Sequence, residues 1–227
     1  MQSAMLVMGL DTALQRCSVA ILRDGAVVGD QSVDMARGHA EHLAPMAAAV
    51  LAEAGVKIAD LDRVGVVVGP GGFTGVRIAL SFARGLAIGV DIDVVGITSL
   101  AALAGNVRDA GADELIAPII DARRGQVYAA LYEQSGLCRV QPFVSDPEQA
   151  LKLLKDAAQD AKTITIGSGD SLLPPGAWRQ SQGDAQINAK IVAALAADAA
   201  PPFGRPPPLY LRGPDAKPSQ PSPAARQ

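Results

Sequence analysis

The spacing of apolar and polar positions predicts a chain in which strands and helices alternate. Short apolar runs, two of them joined by an Asp-Gly pair that suits a tight hairpin, predict three strands at the start. Apolar residues at positions i, i+3 and i+4 predict an amphipathic helix next, which Gly55 ends. The order is βββαβαβ and then a helix, with strands at 5–10, 17–22, 26–33, 64–68 and 94–97 and helices at 39–53, 76–88 and 99–107.

The second half of the chain repeats this order in a shorter form. Asp11 and Asp121 each end the first strand of their half, which indicates an internal duplication. We therefore predict an N-terminal domain over 1–107 and a smaller C-terminal domain over 108–200. The elements of the second half are strands at 115–120, 126–132, 137–144 and 163–166 and a helix at 147–157.

The tail over 201–227 differs in composition from the rest of the chain. It holds nine of the 16 prolines, so it cannot form regular helix or strand, and we expect about its last dozen residues to be disordered. The chain carries a formal net charge of −3, and this tail carries +3, so residues 1–200 carry −6. An acidic body is a poor stand-alone binder of nucleic acid.

The remaining composition indicates a cytoplasmic protein. The two cysteines, Cys17 and Cys138, lie far apart and outside any C-x-x-C pair, which is typical of a reduced compartment. The N-terminus has no basic region before its short apolar run, and Asp11 interrupts that run. No apolar run approaches the roughly 20 residues of a membrane span, so we expect no membrane contact.

A glycine-rich turn joins a predicted strand to a predicted helix. Glycines allow positive φ and close approach, and a helix N-terminus offers free N–H groups and a positive dipole end. The turn therefore suits an anion, although Thr74 replaces the third glycine of a dinucleotide motif and no Walker lysine follows. The alternative is a tight structural connection, with Arg77 either paired or solvated. The candidate anion cradle is Gly69, Gly71, Gly72, Thr74, Gly75 and Arg77.

Groups that could carry catalysis are scarce. The chain has two histidines, His39 and His42, and two imidazoles without further ligands make a poor metal site. No G-x-S-x-G elbow is present, and no histidine lies elsewhere to activate a serine. We predict no catalytic residue and no metal ligand set.

Five segments resemble, in order and spacing, the bacterial TsaB (YeaZ) proteins. The resemblance extends from Met5 to about Arg212, and the five segments together are highly specific although each is weak alone. They are MGLDT at 8–12, GHAEHLAP at 38–45, GPGGFTGVR at 69–77, DARRGQVY at 121–128 and YLR at 210–212.

The resemblance implies an α/β protein with the actin-like (ASKHA) ATPase fold, built from two ribonuclease-H-like βββαβαβ halves of which the second is shortened. It implies a non-catalytic subunit of the complex that forms N6-threonylcarbamoyladenosine at position 37 of tRNAs reading ANN codons. There the chain would scaffold its paralogue TsaD together with the ATPase TsaE. ATP, metal and tRNA would reach the complex through these partners, and this chain alone would hold no cofactor tightly.

The same resemblance implies where the functional surfaces lie. Ser99 and Leu103 stand where the catalytic paralogue has its metal-binding H-x-x-x-H pair. The first two long helices would pack against the same pair of a second subunit, in a homodimer or with TsaD; the alternative is that their small residues pack only on the protein's own sheet. The implied interface is His39, His42, Leu43, Met46, Ala47, Val50, Val76, Ala79, Leu80, Ala83, Leu86 and Ala87. The implied interdomain cleft is Asp11, Thr12, Asp121, Arg123 and Arg124, and the segment 210–212 would anchor the tail.

Two other function classes stay open. One is a glycoprotease-like metallopeptidase, as such proteins were formerly described. That activity needs a nucleophile or a metal site, and the sequence shows neither. An ATP-dependent small-molecule kinase of the actin-like fold needs facing carboxylates, for which Asp11 and Asp121 are candidates, and an adenosine pocket near 167–170. The second half is short for closing over a nucleotide.

Overall fold

The computed structural model describes residues 4–159 and 161–212, so the prediction of a disordered end beyond 213 lies outside the described residues. These residues form two five-stranded sheets flanked by helices. The strands are β1 (Leu6–Asp11), β2 (Arg16–Arg23), β3 (Ala26–Asp34), β4 (Arg63–Gly69), β5 (Asp93–Thr98), β6 (Leu115–Arg123), β7 (Gln126–Tyr132), β8 (Cys138–Ser145), β9 (Thr163–Ile166) and β10 (Arg179–Gln180). The α-helices are α1 (His39–Ala54), α2 (Phe73–Val90), α3 (Ser99–Ala104), α4 (Pro147–Ala158) and α5 (Ala189–Asp198).

The first sheet has the strand order β3-β2-β1-β4-β5. Strand β1 pairs antiparallel with β2 and parallel with β4, and β4 pairs parallel with β5. Helices cover both faces of β1 and β4, which explains why these strands are continuous apolar runs and not alternating ones. The predicted βββαβαβ order of the first half is confirmed.

The second sheet has the order β10-β9-β6-β7-β8, which repeats the first order with shorter elements. A single 3-10 turn at Asp170–Leu172 follows β9, where the first half has the long helix α2, and β10 has two residues. The actin-like fold with a shortened second half is therefore confirmed, while β10 escaped the sequence prediction because two residues give no pattern.

Helix α5 corrects one assignment of the sequence analysis. The predicted domain over 108–200 includes it, but α5 packs on β1, β2 and β4 of the first sheet. Gly9 and Gly65 permit this contact, because a Cβ at Gly65 would lie 2.7 Å from the Cβ of Ala196 and one at Gly9 would overlap the backbone of α5. The other limits of the two domains stay a prediction.

The chain returns once more across the first sheet after α5. Residues 203–212, which we call the C-terminal strap, have no regular structure, but Gly204 forms a β-bridge with Val94. Leu209 N–H donates to the Val68 carbonyl at 2.7 Å, and Arg212 Nη1 donates to the Ala122 carbonyl of the second sheet at 2.7 Å. The strap thus connects the two halves, and the expected anchoring near 210–212 is seen in these contacts.

Candidate functional site

The glycine turn packs directly onto the end of β1. Gly72 N–H donates to the Ala13 carbonyl at 2.8 Å, and Thr12 Oγ1 donates to the Gly75 carbonyl at 2.6 Å. A Cβ on Gly75 would overlap the Thr12 carbonyl oxygen, so the glycine is needed for this close approach. The turn is therefore a structural junction between β1 and α2, whatever else it binds.

The predicted anion cradle does not form one surface. Gly71 and Gly72 line the space between the two sheets, whereas Thr74 and Arg77 lie on the opposite side, next to α1. Gly69 is covered by the strap, because a Cβ there would lie 3.0 Å from the Leu209 carbonyl oxygen. Anion binding at the turn stays a prediction.

The cleft between the two sheets has a volume of about 610 Å³. Of the five cleft residues predicted, Asp121 and Arg123 line it, joined by an ion pair of 3.2 Å between Arg123 Nη1 and Asp121 Oδ2. Arg124 is exposed in the same turn. Asp11 and Thr12, which were also predicted for the cleft, are fully buried and are not among its lining residues.

Asp11 lies in an environment that favours its protonated form more than the environment of an exposed aspartate does. Its Oδ1 accepts the Ala13 N–H at 2.8 Å, and no described residue donates to the buried Oδ2. Desolvation by burial raises the pKa of this carboxyl to about 7, and the opposing effects of the Ala13 N–H and Arg16 are smaller. Because this carboxyl is fully buried and does not line the cleft, it is not exposed to a magnesium ion there.

The two histidines lie in the first turn of α1. His39 is buried, its Nε2 has no partner among the described residues, and burial lowers its pKa. His42 Nδ1 lies 3.0 Å from the Gly38 carbonyl. Within residues 4–159 and 161–212, no group of three or more His, Cys, Asp and Glu side chains is placed to hold a metal ion.

Most of the predicted interface residues face the chain's own core. Of the 12 predicted interface residues, Leu86 and Ala87 are partly buried and His42 is exposed. The other nine pack inside the chain, because the i, i+3, i+4 pattern of each helix marks its sheet-facing side. The buried nine are His39, Leu43, Met46, Ala47, Val50, Val76, Ala79, Leu80 and Ala83.

A second apolar face of the same helix pair is exposed. Between α1 and α2 lies an open groove of about 540 Å³. Phe73 at one end of α2 is 52% exposed, and Ile88 near the other end is 72% exposed. The four-residue spacing of Ala40 and Ala44, and of Ile78 and Phe82, was the signal that could have identified this face. The groove is lined by Ala40, Leu43, Ala44, Phe73, Thr74, Arg77, Ile78, Ser81 and Phe82.

Helix α2 also qualifies the expectation of no membrane contact. Among the described residues it is the one helix long and apolar enough to cross a membrane, with 18 residues and a mean hydropathy of 1.4. The prediction that no apolar run approaches the length of a membrane span is therefore wrong for α2. One such helix is weak support for a membrane span. Helix α2 packs on β4 with Val76 and Ala83 buried, and 22% of the helix is buried among the described residues.

The groove is bordered by two aromatic rings and an arginine. The rings of Phe73 and Tyr210 are stacked, with centroids 5.2 Å apart, and the Arg77 guanidinium lies 3.6 Å from the Phe73 centroid. Arg77 Nε donates to the Tyr210 hydroxyl at 2.7 Å. We call this arrangement the Phe73–Arg77–Tyr210 stack. It joins the strap to the first turn of α2.

Comparison with known proteins gives the family. Residues 33–175 match the family model described as TsaD, tRNA N6-adenosine threonylcarbamoyltransferase. The tRNA threonylcarbamoyladenosine biosynthesis protein TsaB of Bacillus subtilis (strain 168) is 34% identical over 173 residues, which cover 74% of this chain and 73% of that protein. The chain belongs to the TsaB (YeaZ) family. This family lies within the wider group of TsaD-related proteins.

Solved structures agree with the TsaB assignment. A Pseudomonas aeruginosa protein described as similar to peptidase YeaZ superposes with a TM-score of 0.78 and 29% identity, covering 93% of this chain and 100% of that one. A ROK hexokinase from Thermus thermophilus superposes with a TM-score of 0.52 and 15% identity, covering 85% of this chain and 99% of that one. The second likeness shows the shared actin-like fold alone.

The five TsaB-like segments meet in space. The segment 8–12 contacts 69–77 through Thr12 and Gly75, and 69–77 contacts 210–212 through Arg77 and Tyr210. Arg212 reaches the segment 121–128, and the segment 38–45 lines the groove beside Phe73. The segments that carry the family resemblance therefore surround the glycine turn and its two neighbouring surfaces.

Proposed function

We propose that this chain is the non-catalytic scaffold subunit of the complex that forms N6-threonylcarbamoyladenosine at position 37 of tRNAs reading ANN codons. In this proposal it docks on and activates TsaD, in the cytoplasm, and meets the ATPase TsaE and tRNA within that complex. The named relatives support the process, since the B. subtilis TsaB is a tRNA threonylcarbamoyladenosine biosynthesis protein. The observation that carries the docking role is the exposed apolar face of α1 and α2.

The interior of the first half supports a non-catalytic role. Ser99 and Leu103, which stand in place of the paralogue's histidine pair, are fully buried in the core. Asp11, at the end of β1, is also fully buried and does not line the cleft, so it does not reach a substrate bound there. ATP and metal would accordingly act through TsaE and TsaD.

TsaD is the occupant that the helix pair favours. The TsaD family model matches residues 33–175, a range that includes α1 and α2, so a TsaD protein has a corresponding helix pair. The carboxylates of α1 are Glu41 and Glu53, and the charged residues of α2 are Arg77 and Arg84. An acidic helix beside a basic one complements a second pair with the same charges when a two-fold axis relates the two pairs, and a TsaD pair with such charges would fit in the same way. The same reasoning lets two copies pair when TsaD is absent.

Reconstitution tests the proposal. TsaD, TsaE, threonylcarbamoyl-adenylate and an ANN-decoding tRNA are combined with and without this chain, and modified adenosine is measured by mass spectrometry. We expect product with the chain and little without it. Equal product in both reactions, or product from the chain alone with tRNA and adenylate, would overturn the proposal.

The kinase alternative has one supporting observation, the 610 Å³ cleft between the sheets. Its residues argue against it, because Asp121 is paired with Arg123 and Asp11 does not reach the cleft. We expect calorimetric titration of the isolated chain with Mg-ATP to show no binding. Micromolar binding would restore the kinase alternative, and protein cleavage abolished by His39→Ala would restore the peptidase.

A further inference from the structure

The C-terminal strap is a fixed part of the surface of the first half. Arg84 Nη2 donates to the Pro206 carbonyl at 2.7 Å, and Leu209 N–H donates to Val68. Gly96 lies under the strap, where a Cβ would lie 2.7 Å from the Pro206 side chain. These contacts hold the strap along the edge of β5 and against α2, and they fix the position from which Tyr210 projects.

Tyr210 and Phe73 leave much of their rings in solvent. They are 44% and 52% exposed even though the two rings stack on each other. Exposed aromatic rings and an arginine that lie together beside an apolar groove have the composition of an interface hot spot. Because the groove includes Phe73 and Arg77, the stack is continuous with the docking face of α1 and α2.

Arg77 is held in place by the rings. One face of its guanidinium lies over Phe73, and its Nε is used by the Tyr210 hydroxyl. Among the described residues, that hydroxyl is its one hydrogen-bond partner, so the terminal nitrogens stay open to an acceptor. A preorganised guanidinium loses little side-chain entropy when it binds a carboxylate.

We propose that the strap, through Tyr210, forms part of the docking surface for TsaD, and that the Phe73–Arg77–Tyr210 stack receives an acidic side chain of that partner. This inference rests on the proposed function, from which it takes the partner. It adds to the docking surface a segment that is distant in sequence from the helix pair. It also requires that the partner presents an apolar surface to the groove, with a carboxylate beside it.

The test measures the affinity of the full-length chain for TsaD of the same organism by calorimetry, at two salt concentrations. Tyr210→Ala should weaken binding by at least about 10-fold, as for a hot-spot residue. Arg77→Gln keeps a planar head that can contact Tyr210 but removes the charge, so it should weaken binding and reduce the salt dependence. Arg205→Ala, an exposed position on the same strap, is the control and should bind like the wild type.

The outcomes separate this inference from the function it rests on. Wild-type affinity in both Tyr210→Ala and Arg77→Gln overturns the inference and leaves the TsaD scaffold intact. If Tyr210→Ala also lowers the melting temperature, its weaker binding could come from a loss of folding. The salt dependence of TsaD binding by Arg77→Gln is then the deciding measurement, and a dependence equal to that of the wild type overturns the proposed carboxylate contact. A wild-type chain that pairs with itself but not with TsaD overturns the proposed function and this inference together.

Discussion

Ala44 and Ala47 lie one turn apart on α1 and face opposite environments. Ala44 is exposed in the groove, whereas Ala47 is 2% exposed and packs in the chain's own core. Substitution by glutamate at each position therefore makes the same chemical change in two environments, so that an effect on TsaD binding can be distinguished from an effect on folding. We expect Ala44→Glu to fold and to lose TsaD, and Ala47→Glu to lose stability.

The magnitudes follow from burial. A glutamate at 47 buries a carboxylate without a partner, which costs about 3–5 kcal/mol, a large part of the roughly 5–15 kcal/mol of a typical domain. At about 2–4 °C per kcal/mol for a chain of this size, the melting temperature should fall by at least about 6 °C. Ala44→Glu should cost below about 0.7 kcal/mol, the span of ordinary helix propensities. Desolvation of the new carboxylate at position 44 in the complex should weaken TsaD binding by roughly 100-fold or more.

The assay combines thermal melts followed by circular dichroism with calorimetric binding to TsaD. Ala48→Glu, exposed on the same helix but outside the groove lining, shows how far the docking face extends. An Ala44→Glu chain that folds normally and binds TsaD with wild-type affinity would refute the assignment of this groove. An Ala47→Glu chain as stable as the wild type would refute the placement of that face in the core.

Three further predictions concern stability. Gly75→Ala should lower the melting temperature because its Cβ would overlap a backbone oxygen, whereas Gly85→Ala, with nothing within 4 Å, should raise stability by up to about 1 kcal/mol. Equal melting temperatures of the two variants would contradict this. Arg63→Met should cost about 2 kcal/mol in denaturant unfolding, because Arg63 Nη1 donates to three carbonyls at the end of α5, and an unchanged midpoint would contradict it. Burial raises the Asp11 pKa from 3.8 to about 7, so the native state keeps a proton that the unfolded state releases, and this group's stabilisation declines as pH rises from about 4 to about 7. Asp11→Asn should remove this contribution to the pH dependence of melts across this range, and an identical pH profile would count against the raised pKa of Asp11.

Local patterns were sufficient for most elements of the fold. Strands such as β4 are short continuous apolar runs, and α1 has a clear periodicity that ends at Gly55, which has a φ of 61°. The sequence analysis does not include helix α5, because half of its residues are alanine and its apolar pattern is weak. Its place on the first sheet depends on Gly9 and Gly65, which are remote in sequence and were not recognised as contact points.

The candidate site was harder to predict than the fold. A helix with two apolar faces does not reveal from one sequence which face meets its own sheet, so buried residues such as Leu43 and Ala83 were assigned to the partner. The glycine turn was identified, but its residues divide between two surfaces because α2 turns Arg77 away from the cleft. The stack of Phe73 with Tyr210 joins residues far apart in the chain, which no local pattern shows.

The most direct test of the central claim is a titration of this chain into a fixed amount of TsaD, with TsaE, threonylcarbamoyl-adenylate and tRNA in excess. The initial rate of threonylcarbamoyladenosine formation is the quantity measured. A subunit that acts by docking predicts a rate that is near zero without TsaD, rises with added chain and saturates near an equimolar ratio. Product formed by the chain without TsaD, or a rate that is independent of the chain, would contradict the account.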